Sequence, residues 1–133
     1  MRKLILIMLL TFASNSAMAE WVMIGGSEDG MFAYADPATI RKIDNKVKMW
    51  IIYDYKTAQA DPLGGSKPYR STKIQHEYDC EGEKIRVLAA SLHTGNMGKG
   101  DMIYSEVNPS SPWQPIFLGS MSEARWKLAC GKR

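Results

Sequence analysis

Apolar and polar residues alternate most regularly between positions 46 and 56. The wholly apolar or aromatic set of alternate positions there is Val47, Met49, Ile51, Tyr53 and Tyr55. A period of two is typical of a β-strand that covers a core with one face, and β-branched and aromatic residues favour a strand further. The pattern therefore predicts a strand over 46–56 with these side chains facing inward.

Five further segments show strand patterns, at 20–24, 31–35, 72–80, 84–93 and 101–107. The first two flank a glycine-rich turn and predict an opening hairpin, and a second such turn at 95–100 leads into the last strand. Residues 37–43 follow Asp36 and begin with Pro37, which predicts a single helical turn capped by that aspartate. Residues 58–70 show neither the alternation of a strand nor the period of a helix, which predicts a long loop.

The C-terminal segment changes to a helical pattern. Ser120 and Glu123 fit a capping box, and Gly131 is a typical helix terminator. The apolar arc at 100° per residue comprises Met121, Ala124, Trp126, Leu128, Ala129 and Cys130. Glu123 and Lys127 lie on the outer face. A single amphipathic helix cannot bury its apolar arc alone, so the predicted fold class is α+β: an antiparallel β-sheet with one C-terminal helix packed on it.

Residues 1–19 have the pattern of a secretory signal peptide. A basic start is followed by an apolar run too short to span a bilayer, and Ala17-Met18-Ala19 is a small-x-small cleavage site. Cleavage after Ala19 predicts one exported domain over 20–133, in the periplasm of a Gram-negative bacterium or secreted. Because no cysteine lies near the cleavage point, we expect no lipid anchor there. No second apolar run approaches membrane-spanning length, so we expect no membrane insertion after cleavage.

The two cysteines of the chain are Cys80 and Cys130. An even number of cysteines in an exported chain predicts a disulfide. Their spacing is neither the C-x-x-C of redox-active pairs nor a cluster of metal ligands. We therefore expect a single structural disulfide that ties the end of the helix to the sheet.

The charge balance argues against nucleic acid as a partner. The whole chain has a formal charge of +3, and residues 20–133 have 15 Lys+Arg and 14 Asp+Glu, which leaves +1. A nearly neutral domain lacks the long-range field of general nucleic-acid binding. We expect no nucleic-acid partner.

Candidate catalytic groups are few. His93 lies two residues after Ser91, but neighbours at this spacing do not make an oriented catalytic triad. We expect His93 to be a partly exposed histidine at a strand end and His76 to be a hydrogen-bonded group at the edge of the core. The sequence predicts no enzyme, no cofactor and no metal site, and a hydrolase that uses His93 is the least favoured alternative.

Basic residues form two groups that serve as a candidate binding patch. They are Arg41, Lys42, Lys46, Lys48, Lys67, Arg70 and Lys73. If these residues adjoin on one sheet face, they can meet an acidic macromolecule such as a glycosaminoglycan or an anionic protein surface. The alternative is that they are scattered surface cations.

An ordered set of residues runs through nearly the whole exported segment. It comprises Trp21, Asp29-Gly30, Tyr34-x-Asp36, Ile40, Asn45-x-Val47, Trp50, Asp54-Tyr55, Cys80, Arg86, Trp113, Gly119-Ser120 and Cys130. This set resembles the surface-adhesin protein E family of bacterial exported proteins. The resemblance implies a small antiparallel sheet with a C-terminal helix, binding to host extracellular-matrix and plasma proteins, and the ability to form a homodimer. The chain departs from the family at Leu118, where proline is frequent, and in having no lipidation cysteine.

These observations predict an exported, non-enzymatic protein-binding domain that acts through its sheet face and loops. A partner can add a strand to a free sheet edge or cover exposed aromatic residues. The alternative is a periplasmic accessory or stress protein that binds an envelope protein or a small ligand.

Overall fold

The computed structural model describes residues 20–62, 64–65 and 67–131, so the predicted signal peptide lies outside the described residues. The elements are β1 (Val22–Gly26), β2 (Met31–Ile43), β3 (Lys46–Gln59), β4 (Tyr69–Asp79), β5 (Lys84–His93), β6 (Met102–Val107), β7 (Gln114–Pro115) and α1 (Met121–Cys130). Strands β1 to β6 form an antiparallel sheet in chain order, and β7 pairs with the start of β5. The predicted fold class is confirmed.

The core lies between the sheet and α1. Val47, Met49 and Ile51 on β3 are each at most 1% exposed, and they cluster with Trp126 and Ala129 of the helix. Full burial of an apolar side chain of this size contributes roughly 1.5–3 kcal/mol. The alternation predicted for this strand is confirmed, and it places the helix on the predicted face.

The helix begins after Ser120 and ends at Gly131, whose φ of 68° is the left-handed conformation that glycine adopts without strain. The predicted capping box is wrong. The Ser120 hydroxyl donates to the carbonyl of Phe117 (2.5 Å) and caps no helix N–H, while the Glu123 carboxylate accepts from the N–H of Gly119 (3.2 Å). Helix α1 has ten residues, and the described residues contain no helix long and apolar enough to cross a membrane.

The buried stripe of the helix differs from the predicted arc at two positions. Ala124 is exposed, whereas Arg125 is only 7% exposed. Arg125 is four residues from both Met121 and Ala129, so the helical period places it on the same side. The Tyr53 hydroxyl on β3 accepts a hydrogen bond from Arg125 Nη1 (2.5 Å) and lets the guanidinium enter this stripe.

Two links hold the end of the helix against the end of β4. Cys80 and Cys130 form the predicted disulfide, with Cα atoms 5.6 Å apart. The indole Nε1–H of Trp126 donates to the carbonyl of Asp79 (2.9 Å). The end of the helix is therefore fixed to the sheet by one covalent bond and one partly buried hydrogen bond.

The helical turn predicted at 37–43 is wrong, because these residues belong to strand β2. Between Asp36 and Arg41 the pairing with β3 shifts, and four residues of β2 stand opposite one of β3. The Asp36 carboxylate accepts from the N–H of Ala38 (3.1 Å), and the Thr39 hydroxyl accepts from the N–H of Trp50 (3.0 Å). These side-chain hydrogen bonds take the place of backbone hydrogen bonds between the two strands, because Pro37 has no N–H to donate.

The connection 94–101 folds back over one end of the sheet face opposite α1. Its backbone N–H groups at Met97 and Gly98 donate to the Asp54 carboxylate (2.7 Å) and the Ser71 hydroxyl (2.9 Å). The Ser71 hydroxyl donates in turn to the carbonyl of Gly95 (2.7 Å). This cover buries side chains that point away from the helix: Ile52 is 1% exposed and Ser71 is 0% exposed.

Candidate functional site

The sheet face opposite α1, here called the open face, can be described in cross-strand rows. Residues directly opposite each other on paired strands point to the same side of a sheet. One row is Lys46, Asp79 and Lys84, and the next is Arg41, Lys48, Glu77 and Arg86. The five cations of these two rows are here called the basic end. Within the two rows they stand against two acids, a difference of 5 − 2 = +3. Asp44, Glu81 and Glu83 lie in the two turns that adjoin the first row.

Both acids in these rows already accept hydrogen bonds from other groups of the protein. The Glu77 carboxylate accepts from Nε of Arg86 (2.8 Å) and lies 2.6 Å from its Nη2. The Asp79 carboxylate accepts from the N–H of Gly82 (2.9 Å), and this hydrogen bond, more than nearby lysines, lowers the pKa of Asp79. Among the described residues, Lys46, Lys48 and Lys84 form no ion pair. Within the part of the chain that the structure describes, the basic end therefore includes three lysines that are without an ion-pair partner.

Two tryptophan rings make cation–π contacts with basic side chains of the open face. The Arg86 guanidinium lies 4.4 Å from the ring centroid of Trp113, and Lys46 Nζ lies 5.9 Å from the same centroid. Two rows further along the sheet, Lys73 Nζ lies 5.1 Å from the centroid of Trp50. Such contacts contribute roughly 0.5–1 kcal/mol at exposed sites and restrict the cationic side chains. The open face thus combines positive charge with half-buried aromatic surface.

The structure brings together only part of the predicted basic patch. Arg41, Lys46 and Lys48 belong to the basic end, and Lys73 lies on the same face next to Trp50. These four residues share a face because they occupy matching alternate positions on paired strands.

The other three predicted residues lie elsewhere. Lys42 is opposite Val47 on the helix side, where it lines a cavity of about 580 Å³ beside the disulfide. Lys67 pairs with Asp101 (3.7 Å) near the far end of the sheet. Arg70 precedes Ser71 on β4 and donates through Nη1 to the carbonyl of Lys56 (3.3 Å). The seven residues therefore do not form one continuous surface.

Sequence reasoning missed Lys84 and Arg86. They are two positions apart on β5, so they share a face, and that alternation was visible in the sequence. The register between β4 and β5 was not visible, and it is this register that places Arg86 opposite Glu77. Knowledge of which strands pair would have joined these two residues to Lys46 and Lys48.

Ser91 and His93 also lie on the open face, under the cover of the connection 94–101. The Ser91 hydroxyl and His93 Nε2 are 2.7 Å apart, and His93 is 5% exposed, so the prediction of a partly exposed histidine is wrong. Burial, and to a lesser extent the charge of Lys73, lowers the pKa of His93. Among the described residues, His93 Nδ1 has no hydrogen-bond partner. The pair therefore lacks the third group that orients a catalytic base.

His76 is a core residue on the helix side, with 4% of its surface exposed. Its Nδ1 has no hydrogen-bond partner among the described residues, so the prediction of a hydrogen-bonded histidine at the core edge is wrong for this atom. Burial, with a smaller contribution from the charge of Arg125, lowers the pKa of His76 from 6.5 to about 3. The imidazole is therefore neutral in the folded protein at neutral pH. Across the described residues, no three His, Cys, Asp or Glu side chains are grouped to hold a metal ion.

This lowered pKa predicts a loss of stability in mild acid. The unfolded chain takes up a proton at His76 below pH 6.5, whereas the folded protein does so only near pH 3. The neutral imidazole therefore contributes its full stability above pH 6.5, the pKa of histidine in the unfolded chain. This contribution falls as the pH drops from 6.5 toward 3. At about pH 5 we expect a loss of about 2 kcal/mol relative to about pH 8, measured by urea unfolding.

A His76→Gln variant separates this contribution from other titrating groups. In this variant, the free energy of unfolding is expected to change less between about pH 8 and about pH 5 than it does in the wild type. Because burial also lowers the pKa of His93, the change is expected to be smaller still in the double variant with His93→Gln. An unchanged slope in His76→Gln would contradict the assignment.

Comparison with known proteins is consistent with this architecture. The family model described as surface-adhesin protein E matches residues 21–131. A solved structure of Haemophilus influenzae protein E is similar with a TM-score of 0.63 at 9% identity, covering 87% of this chain and 87% of that chain. Its crystal form II gives a TM-score of 0.59 at 10% identity, covering 74% and 80% of the two chains. No curated protein sequence matches significantly. The family match spans most of the chain, which therefore belongs to the surface-adhesin protein E family.

Proposed function

We propose that this protein is an exported, non-enzymatic domain that binds an acidic protein surface through the basic end of its open face. Membership of an adhesin family supports a binding role. The observation that carries the proposal is the row arrangement of Arg41, Lys46, Lys48, Lys84 and Arg86 on a face that neither α1 nor the connection 94–101 covers.

Charge segregation supports an acidic partner. Residues 20–133 have a formal charge of +1, and the two rows of the basic end have +3, so the rest of the exported segment has 1 − 3 = −2. Positive charge therefore exceeds negative charge within these two rows of the open face. Such a patch accelerates encounter with an acidic partner and orients it, and salt screens the attraction over about 8 Å at physiological ionic strength.

A host extracellular-matrix or plasma protein is the partner class we expect, in agreement with the adhesin family. Half-buried aromatic rings under cations, as at Trp113 and Trp50, give such an interface apolar contact area as well as charge. Within the described residues, the buried Ser91–His93 pair has no orienting acid, and this supports a role without catalysis.

Charge reversal at the basic end tests the proposal. The Lys48→Glu/Lys84→Glu variant is expected to bind immobilised matrix and plasma proteins about tenfold or more weakly than wild type, mostly through slower association. Binding of the wild type is expected to weaken as salt rises. Surface plasmon resonance across a panel of these proteins provides the measurement.

The matched control is Lys42→Glu/Lys127→Glu, which makes the same charge change on residues outside the open face. It is expected to keep affinity within about threefold of wild type. Equal losses in both variants would show that net charge, not the basic end, controls binding. Binding of heparin but of no protein in the panel would contradict the proposed partner class.

We also propose that residues 1–19 are removed on export and that the domain from Glu20 onward is periplasmic or secreted. Mass spectrometry of the exported protein is expected to give an N-terminus at Glu20. Cell fractionation and surface proteolysis then separate an adhesin from a periplasmic accessory protein. Protection from protease in intact cells, with no protein in the medium, would favour the periplasmic alternative.

A further inference from the structure

A cavity of about 280 Å³ opens on the helix side of the sheet, between α1, strand β5 and residues 111–114. Ile85, Val87 and Pro112 contribute to its mostly apolar wall. The buried side chains of His76 and Arg125 also line it. This cavity lies on the helix side of the sheet, whereas the basic end is on the open face. Arg86 belongs to the basic end and also lines the cavity, but Lys46, Lys48 and Lys84 are not part of its lining.

Arg125 is a buried cation without a matching acid. It is 7% exposed, and its guanidinium is charged at any pH at which the protein folds. One nitrogen, Nη1, donates to the Tyr53 hydroxyl, and the guanidinium carbon lies 5.7 Å from the centroid of that ring. Among the described residues, no Asp or Glu forms an ion pair with Arg125, and its Nε has no hydrogen-bond partner. A phenol and a ring face compensate a buried charge only in part.

His76 adds a second unpartnered polar group to the same cavity. Its Nδ1 is buried and has no hydrogen-bond partner among the described residues. A neutral imidazole carries one N–H that can be on either nitrogen, so Nδ1 can donate to an acceptor placed in the cavity. Leaving two buried polar nitrogens unmatched is unfavourable, and an anion that accepts from both would remove this cost.

We infer that this cavity binds a small carboxylic acid with an apolar tail. The carboxylate accepts hydrogen bonds from the Arg125 guanidinium and the His76 imidazole, both of which line the cavity. A carboxylate is the group that a guanidinium matches best in charge and planarity. The tail lies against Ile85, Val87 and Pro112. The volume is below that of most sites for drug-sized ligands, which restricts the ligand to a short chain or one small ring.

Octanoate is the probe for this inference, with n-octanol as the uncharged control of the same chain length. Octanoate is expected to raise the melting temperature and to shift the NMR signals of the Arg125 Nε–H and the His76 ring. Octanol is expected to do neither at the same concentration. The Arg125→Met variant is expected to bind octanoate about tenfold or more weakly, whereas Lys127→Met, which removes a cation from the outer face of the same helix, retains binding.

A second variant keeps the test decisive if Arg125→Met fails to fold. Val87 is 38% exposed at the cavity, so Val87→Trp is expected to fold and to block octanoate. The inference is overturned if octanoate causes no shift at Arg125 up to about 10 mM. It is also overturned if octanol binds equally well, or if either cavity variant binds octanoate as wild type does. The Lys48→Glu/Lys84→Glu variant changes no residue that lines the cavity and is expected to bind octanoate as wild type does, so the two proposals fail separately.

Discussion

Replacing Cys80 and Cys130 by alanine is expected to lower the free energy of unfolding by about 4 kcal/mol, the chain-entropy estimate for a loop of this length. The two residues are 50 positions apart and their Cα atoms are 5.6 Å apart. The bond excludes most extended conformations of the unfolded chain, and the double variant regains them. Urea unfolding of the oxidised wild type and the variant, followed by circular dichroism, gives the difference.

Reduction of the wild type provides a control that changes no side-chain volume. In dithiothreitol the wild type is expected to approach the stability of the alanine variant. Since domains are typically stable by about 5–15 kcal/mol, the reduced protein retains only a small margin. A difference below about 1 kcal/mol would show that the loop 80–130 is already restricted in the unfolded chain.

Replacing Trp126 by alanine is expected to cost about 3–5 kcal/mol, the range for removal of a large aromatic side chain from a core. Trp126 is 9% exposed and belongs to the cluster formed with Val47, Met49 and Ile51. The variant leaves a cavity under the helix and leaves the carbonyl of Asp79 without its indole donor. Chemical unfolding at neutral pH measures the loss.

Two further substitutions separate the loss of the indole hydrogen bond from the loss of packing, and the helix side from the open face. Trp126→Phe keeps most of the packing and is expected to cost about 1–3 kcal/mol, mainly for the unmatched Asp79 carbonyl. Trp113→Ala, on the open face, removes a half-buried ring and its cation contacts and is expected to cost about 1 kcal/mol. A loss at Trp113 equal to that at Trp126 would contradict the assignment of the core to the helix side.

The disulfide and Trp126 connect the same helical turn to the end of β4, so their effects are not independent. Once the helix has detached from the sheet, removing the second link costs little more. The triple variant is therefore expected to lose less than the sum of the separate losses, if it folds at all.

The parts of the fold predictable from sequence are those determined by local pattern. The alternation at Val47, Met49 and Ile51 requires one buried face, and Gly131 ends the helix by adopting a conformation that other residues avoid. The pairing of Cys80 with Cys130 was predictable because the chain offers no other pair. Each of these predictions depends on a single segment or on elimination.

Apart from the capping box at the start of α1, the predictions that failed depend on contacts between different elements of the fold. Residues 37–43 are a strand because the hydroxyl of Thr39 meets the N–H of Trp50, and no local pattern reports that contact. Arg125 enters the core because Tyr53, 72 positions away, accepts its hydrogen bond. Ile52 is buried on a face expected to be open because the connection 94–101 crosses it.

In the candidate site, too, some residues were predictable from local pattern and others depend on strand pairing. Alternation alone correctly separates Lys46 and Lys48 from the helix side. Lys42 lies on that side because β2 pairs with β3, whereas the sequence pattern predicted a helical turn there. The contribution of Arg86 depends on the pairing of β5 with β4, which only the tertiary structure gives. Binding by these residues stays a prediction until the charge-reversal variants are measured.

The sequential order of strands β1 to β6 has a consequence for the assembly of the molecule in the cell. A chain that crosses a membrane with its N-terminus first can add each of these strands to the one before it as it emerges, and only the short strand β7 pairs back with an earlier strand. Helix α1 supplies both the cover over the apolar face and the second sulfur. A prematurely terminated copy therefore lacks both features together, and its bare sheet and unpaired thiol distinguish it from the finished protein for proteases and chaperones.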